Sequence, residues 1–205
     1  PQGLQGPQNL LTVFDTLPSV PWNANEFFKV TALNQSYWRL GSEVAGEADA
    51  LYLTIPPELL ETYYGNNAAS RIRRVEVELT LTTFNPASVS PDQVYFGALL
   101  QDATDNTKTA GVNVQLVQAG VIKLGQRTGT KVTNFSNQAV NVVVVRVRLE
   151  RDIKTGDITV YANGSQLGQA IPFVRADAPI LPVLFVKSGG VIVSVTGSGW
   201  VITLR

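Results

Sequence analysis

From Leu10 onward the apolar residues fall at every second position or in short unbroken runs, separated by clusters of Asn, Gly, Pro and Ser. Such alternation turns one side of an extended segment to a core and the other to water, which is the pattern of a half-buried strand. In IRRVEVELTLTTF, Val75, Val77, Leu79 and Leu81 share one face, and Glu76, Glu78, Thr80 and Thr82 share the other. In AVNVVVVRVRLERD, Val143, Val145, Val147 and Leu149 lie opposite Arg146, Arg148 and Glu150. Paired side by side, these two strands set Arg against Glu on their outer face.

The turns follow from the same reading. Asn163-Gly164 divides two alternating segments in DITVYANGSQLGQ and supplies the positive φ of a type I′ hairpin. A second hairpin is predicted in GVNVQLVQAGVIKLG, turning near Ala119-Gly120, and a third in VIVSVTGSGWVITLR, turning at Gly197-Ser198-Gly199. Further strands are expected at 10–16, 26–33, 36–40, 49–55, 93–101 and 180–187. One helix of about two turns fits PPELLETYYG, with Pro56 and Pro57 at its start and Gly65 at its stop. About a dozen short strands with regular turn signals predict an all-β fold, an antiparallel β-sandwich of jelly-roll type with one short helix.

Composition narrows the chemistry. The 205 residues suffice for a single β-sandwich domain over 10–205, preceded by a leader at 1–9. Sixteen basic residues balance sixteen acidic ones, so no overall field favours nucleic acid or an anionic membrane. Cys, His and Met are absent. The fold is therefore built without disulfides, and hydrolases that need a Cys or His, zinc enzymes and haem proteins are excluded. A chain that starts at Pro1 reads as a processed product or an excised segment. No apolar run is long enough to span a membrane, since Asn141 and Arg146 interrupt the densest one.

From about Val94 to Leu204 the sequence resembles the concanavalin-like jelly roll, including its laminin-G-like modules. The resemblance is carried by YFGALLQD, GVNVQLVQAGVIKL, VVVRVRLERDIKTGDITVYANGSQLGQ, LPVLFVKSGG and GSGWVITLR. It implies a glycan-binding or lectin-like role, and the family also holds glucanases with an E-x-D-x-x-E strand for retaining glycoside chemistry. Here Glu47-Ala48-Asp49 lacks the later Glu, and Glu76-Val77-Glu78 runs on into Leu79, Thr80 and Leu81. Neither completes the pattern, and Arg neighbours would keep Glu76 and Glu78 ionised, so no enzyme activity and no catalytic residue are expected.

The leader permits two readings. Gly3-Leu4-Gln5 and Gly6-Pro7-Gln8 form two collagen-phased triplets, with Gly at every third position as a triple-helix axis demands. The alternative is a polar linker. The in-phase Pro and Gln favour the first, which makes the domain the end of a fibrous stalk, a homotrimer and an extracellular or surface-displayed protein of structural and adhesive role. Its rival is a stand-alone lectin-like carbohydrate-binding module.

Candidate ligand sites are few. Tyr63 and Tyr64, beside Asn66 and Asn67, are the aromatics expected to stack on a sugar with amides near its hydroxyls, and Trp38 is a further candidate. Asp102, Asp105 and Asn106 in QDATDNTKT offer oxygen ligands for calcium, and no other cofactor is expected. Asp152 and Asp157, flanking KTGD, read as turn residues, and Arg71-Ile72-Arg73-Arg74 reads as a source of surface ion pairs.

Overall fold

The computed structural model describes residues 11–13, 28–32, 37–42, 50–55, 57–84, 94–118, 120–139, 143–187 and 193–204. The leader at 1–9, with both collagen-phased triplets, lies outside the described residues.

The two strongly alternating segments form β5 (Ile72–Phe84) and β10 (Val144–Arg151), which are antiparallel neighbours. Arg146 stands opposite Glu78, Arg148 opposite Glu76 and Glu150 opposite Arg74, as the alternation predicts. Val75, Val77, Leu79, Val145, Val147 and Leu149 are buried on the other face. Beyond β10 lie β11 (Ile158–Ala162) and β12 (Ser165–Gln166), joined by Asn163-Gly164 with φ of 50° and 83°. The positive pair is that of a type I′ turn, and Asn163 Oδ1 accepts the Arg146 N–H at 2.9 Å.

On the far side of β5 runs β14 (Val193–Leu204), a single strand of 12 residues that pairs with β5 along its length. The hairpin expected at Gly197-Ser198-Gly199 is not formed. Instead the register shifts between Ser198 and Val201, a bulge that absorbs one extra residue while the strand continues. Glycine in a strand marks a bulge as readily as a turn. The other edge of β14 is shared by β3 (Tyr37–Ser42), followed by β2 (Phe28–Ala32), and by β1 (Leu11–Val13) farther along. The sheet thus has eight strands.

The second sheet has six, in the order β4 (Ala50–Thr54), β13 (Ile180–Lys187), β6 (Tyr95–Asp102), β7 (Asp105–Gln118), β8 (Val121–Thr128) and β9 (Lys131–Ala139). Every pairing in both sheets is antiparallel. The predicted turn between β7 and β8 is present, with Gly120 at φ 77°. β9 goes beyond the sequence expectation: all of its residues are exposed or half-exposed, so it carries no apolar period.

One buried cluster fills the space between the sheets, taking Val77 and Leu149 from the larger and Phe96, Val112, Leu124 and Leu184 from the smaller. The architecture is an antiparallel β-sandwich of jelly-roll type. Among the described residues two helices pack against this cluster. α1 (Pro57–Tyr64) is the predicted one, and α2 (Ala68–Arg71) follows it. Leu60 and Tyr64, one turn apart, are buried on the same side of α1. Gly65 at φ 90° ends the helix and donates its N–H to the Glu61 carbonyl at 2.9 Å. Among the described residues no helix is long and apolar enough to cross a membrane.

Candidate functional site

Inner and outer faces of the six-stranded sheet are fixed by register. Phe96, Ala98 and Leu100 of β6 face the core, which sends Tyr95, Gly97, Leu99 and Gln101 outward. On that outer face Thr54, Val183, Leu99, Gly111 and Arg127 stand in one row across five strands. Phe185, Gly97, Asn113 and Gly125 form the row on one side, and Leu181, Gln101 and Thr109 the row on the other.

Two features make this face unlike a plain solvated surface. Leu99, Val183 and Phe185 are buried there as a satellite apolar cluster with Tyr95 packed against it, so β6 and β13 are buried on both sides. Glycine also stands where a side chain would crowd the surface. A Cβ on Gly111 would come within 2.2 Å of the Ala98 carbonyl oxygen and 2.7 Å of Leu99 Cα, so only glycine fits beside Arg127.

Arg127 is held at three points. Its Nε–H donates to the Gly129 carbonyl at 3.1 Å, Nη1 donates to Asn113 Oδ1 at 3.4 Å, and the guanidinium carbon lies 4.9 Å from the centre of the Phe185 ring. Stacking over the ring and bonding in its own plane fix the orientation of the fork. Asn113 is fully buried, and its Nδ2 has no hydrogen-bond partner. Arg127 opens onto a groove of about 630 Å³ that also takes Thr54, Gln101, Asn106, Thr109 and Thr130 into its walls. These residues bring hydroxyls, amides and one cation together, and among the described residues no Asp or Glu lines the groove. Such a lining can bind the hydroxyls of a polar ligand but holds no carboxylate pair for acid–base chemistry.

A different chemistry occupies the outer face of the eight-stranded sheet. Arg146 Nε donates to Glu78 Oε2 at 3.0 Å, Arg74 Nη2 donates to Glu76 Oε1 at 2.8 Å, and Arg148 sits 3.3 Å from Glu150. Arg148 also lies over the Tyr161 ring at 3.9 Å. Glu76 and Glu78 line a broad hollow of about 800 Å³ there, but each is committed to an arginine.

The residues singled out from sequence are only partly brought together. Tyr64 is corrected: it is fully buried between α1 and the core, so its ring is closed to a ligand. Its place four residues after Leu60 puts it on the apolar side of the helix. Asn66 and Asn67 are exposed in the turn between the helices, where Asn67 adopts φ 56°. Tyr63 lies in α1 and Trp38 in β3, opposite Ala32 and Gly197, and the side chains of both lie outside what is described.

Asp102 and Asp105 face each other at the β6–β7 turn. Asp102 Oδ1 accepts the N–H and hydroxyl of Thr104 at 2.9 and 2.8 Å, and Asp105 Oδ1 accepts those of Thr107 at 3.0 and 2.6 Å. The Thr107 bonds hold the Asp105 carboxyl below its ordinary value of 3.8. Each acid therefore closes its own turn, while Asn106 joins the groove wall. Among the described residues no three His, Cys, Asp or Glu gather in a metal-holding group. Asp152 is a turn residue, accepting the Lys154 and Thr155 N–H groups, each at 2.8 Å.

Sequence reasoning missed Arg127, Gln101, Thr109 and Asn113. Its one usable signal was Gly97, Gly111 and Gly125 recurring inside strands, which marks close approach to the backbone.

No protein-family model matches the chain, and no curated protein matches it. Solved structures do. The Bacillus licheniformis β-glucanase superposes with a TM-score of 0.50 at 11% identity, covering 98% of this chain and 100% of that one. The CBM2 module of the evolved Dit of Lactobacillus casei BL23 phage J-1 gives 0.51 at 11%, covering 99% and 93%. A sialidase gives 0.50 at 14% over 89% of this chain, which spans 17% of the sialidase's length. At these identities the likeness is one of fold.

Proposed function

We propose that the protein is a non-enzymatic, lectin-like glycan-binding module whose ligand lies in the groove on the outer face of the six-stranded sheet. The observation that carries this reading is the lining. Thr54, Gln101, Thr109 and Thr130 converge from separate strands and a turn around Arg127, with no carboxylate among the described lining residues. Hydroxyls and amides placed in this way match the donors and acceptors of a sugar. Likeness of fold to a glucanase and to a CBM2 module is compatible with this reading and does not establish it. A glycan-binding role is compatible with a place outside the cell or on a surface. The stalk-end and homotrimer readings rest on the Gly3-to-Gln8 triplets and are tested separately by solution mass.

The test is a glycan array followed by calorimetry on wild type, Gln101→Ala and Thr109→Val. The expected result is a glycan bound by wild type and lost in both variants, with melting temperatures retained. Binding that survives both changes but disappears in Glu78→Gln would move the site to the other sheet and overturn the proposal.

A further inference from the structure

Arg127 is half-buried, and its contacts are all with neutral groups: a carbonyl, an amide oxygen and an aromatic ring. It takes part in none of the ion pairs formed among the described residues, whereas Arg74, Arg146, Arg148 and Arg175 each sit within 4 Å of a carboxylate. A guanidinium has five N–H groups, and the bonds to Gly129 and Asn113 use two of them. Three remain on the η nitrogens, at the end of a fork whose plane is already fixed. A cation withdrawn from water and left without a counter-charge is costly, and an incoming anion would meet a preorganised bidentate partner.

We propose that the groove selects an acidic glycan, with the carboxylate of a uronic acid residue paired to the η nitrogens of Arg127 and the neighbouring hydroxyls held by Gln101 and Thr109. This rests on the glycan-binding reading above and specifies its ligand. Three features of the site support it. Among the described lining residues there is no Asp or Glu, and the neighbouring Asp105 is held by Thr107. Phe185 beneath the guanidinium excludes water from one of its faces, which strengthens the pair. The planar fork matches a carboxylate in a way that no single hydroxyl does.

The experiment uses a panel of polyuronates, each beside its carboxyl-reduced counterpart, in which the uronate has become the neutral hexose of the same stereochemistry. Binding is read by calorimetry at low and high salt for wild type, Arg127→Gln, Arg127→Lys and Gln101→Ala. The expected result is that a polyuronate binds about tenfold to a hundredfold more tightly than its reduced form. That preference falls with added salt, disappears in Arg127→Gln and is partly kept in Arg127→Lys, which retains the charge without the fork. If Arg127→Gln fails to fold, the Lys variant and the salt dependence of wild type decide. Neutral polymers bound as tightly as their acidic parents, with Gln101→Ala abolishing both, would overturn the acidic preference and leave the glycan site standing. Binding of no polymer in either form, or binding indifferent to both Arg127 and Gln101, would overturn both readings.

Discussion

Val112 and Asn113 are neighbours on β7, both fully buried, and they point to opposite sides of the sheet. Val112 packs in the core between the sheets, whereas Asn113 carries an amide whose Nδ2 has no partner. Truncating each to Ala should therefore give unequal results from equal burial. Val112→Ala removes two buried methyl groups at about 0.8 kcal/mol each, and the space left behind raises the loss to about 2 kcal/mol. Asn113→Ala removes a buried donor whose isolation costs about 1 to 3 kcal/mol. Against that gain stand the long bond from Arg127 Nη1 and the packing of the amide, so the net change should stay within about 1 kcal/mol. With a urea slope of about 2 to 3 kcal/mol per molar, the first variant shifts the midpoint by roughly 0.7 to 1 M and the second by under roughly 0.5 M. Urea titration followed by tryptophan fluorescence measures both. Equal shifts would refute the assignment, because they would mean that the Asn113 amide is as well matched to its surroundings as the valine is.

Other expectations follow from single residues. Asn163→Ala should cost about 1 to 2 kcal/mol in thermal melting, since alanine tolerates a φ of 50° poorly and the Oδ1 bond to Arg146 is lost. Asp105 is held below 3.8 by the Thr107 hydroxyl and N–H, and Asp152 by the N–H groups of Thr155 and Lys154. Both carboxyls are lowered on folding, so their stabilisation is complete above about pH 4 and is lost as pH falls through the lowered values. In Asp105→Asn with Asp152→Asn, the melting temperature should fall less steeply between about pH 4 and pH 2 than in wild type. Asp102 and Asp105 each spend an oxygen on a threonine, so calcium is expected to leave the melting temperature unchanged; a rise removed by Asp102→Asn would support the calcium reading. Light scattering after size exclusion tests the stalk reading: a mass of three chains at all concentrations supports it, and a monomer refutes it for residues 1–205.

What could be read from the sequence follows from how each element is buried. β5 and β10 are buried on one face only, so their alternation names their faces and sets Arg against Glu on the outer one, while the register comes from the structure. β6 and β13 are buried on both faces, so YFGALLQD and ILPVLFVK read as apolar runs that show a strand without showing its sides. β9 is buried on neither and leaves no hydrophobic trace. In β14 the glycines at 197 and 199 carried the same letters for a turn and for a bulge, and only pairing with β5 distinguishes them. The groove was hidden for a related reason. Residues 54, 101, 109 and 127 are far apart in the chain and meet only through the register of β4, β6, β7 and β8. Tyr64, by contrast, could have been placed correctly from its helical spacing to Leu60.

The position of β14 bears on how the protein is made. It lies in the interior of the larger sheet, with β5 along one edge and β3 and β1 along the other, yet among the described strands it comes last in sequence. Within the run from β6 through β9 each strand pairs with the next in sequence, so these hairpins can zip up before β13 arrives on the free edge of β6. The larger sheet has a gap at its centre until Leu204 has been synthesised. Until then the edges of β5 and β3 are open templates for pairing with another nascent chain. Those edges therefore need shielding until β14 has been made, and a product cut short before β14 cannot close the larger sheet.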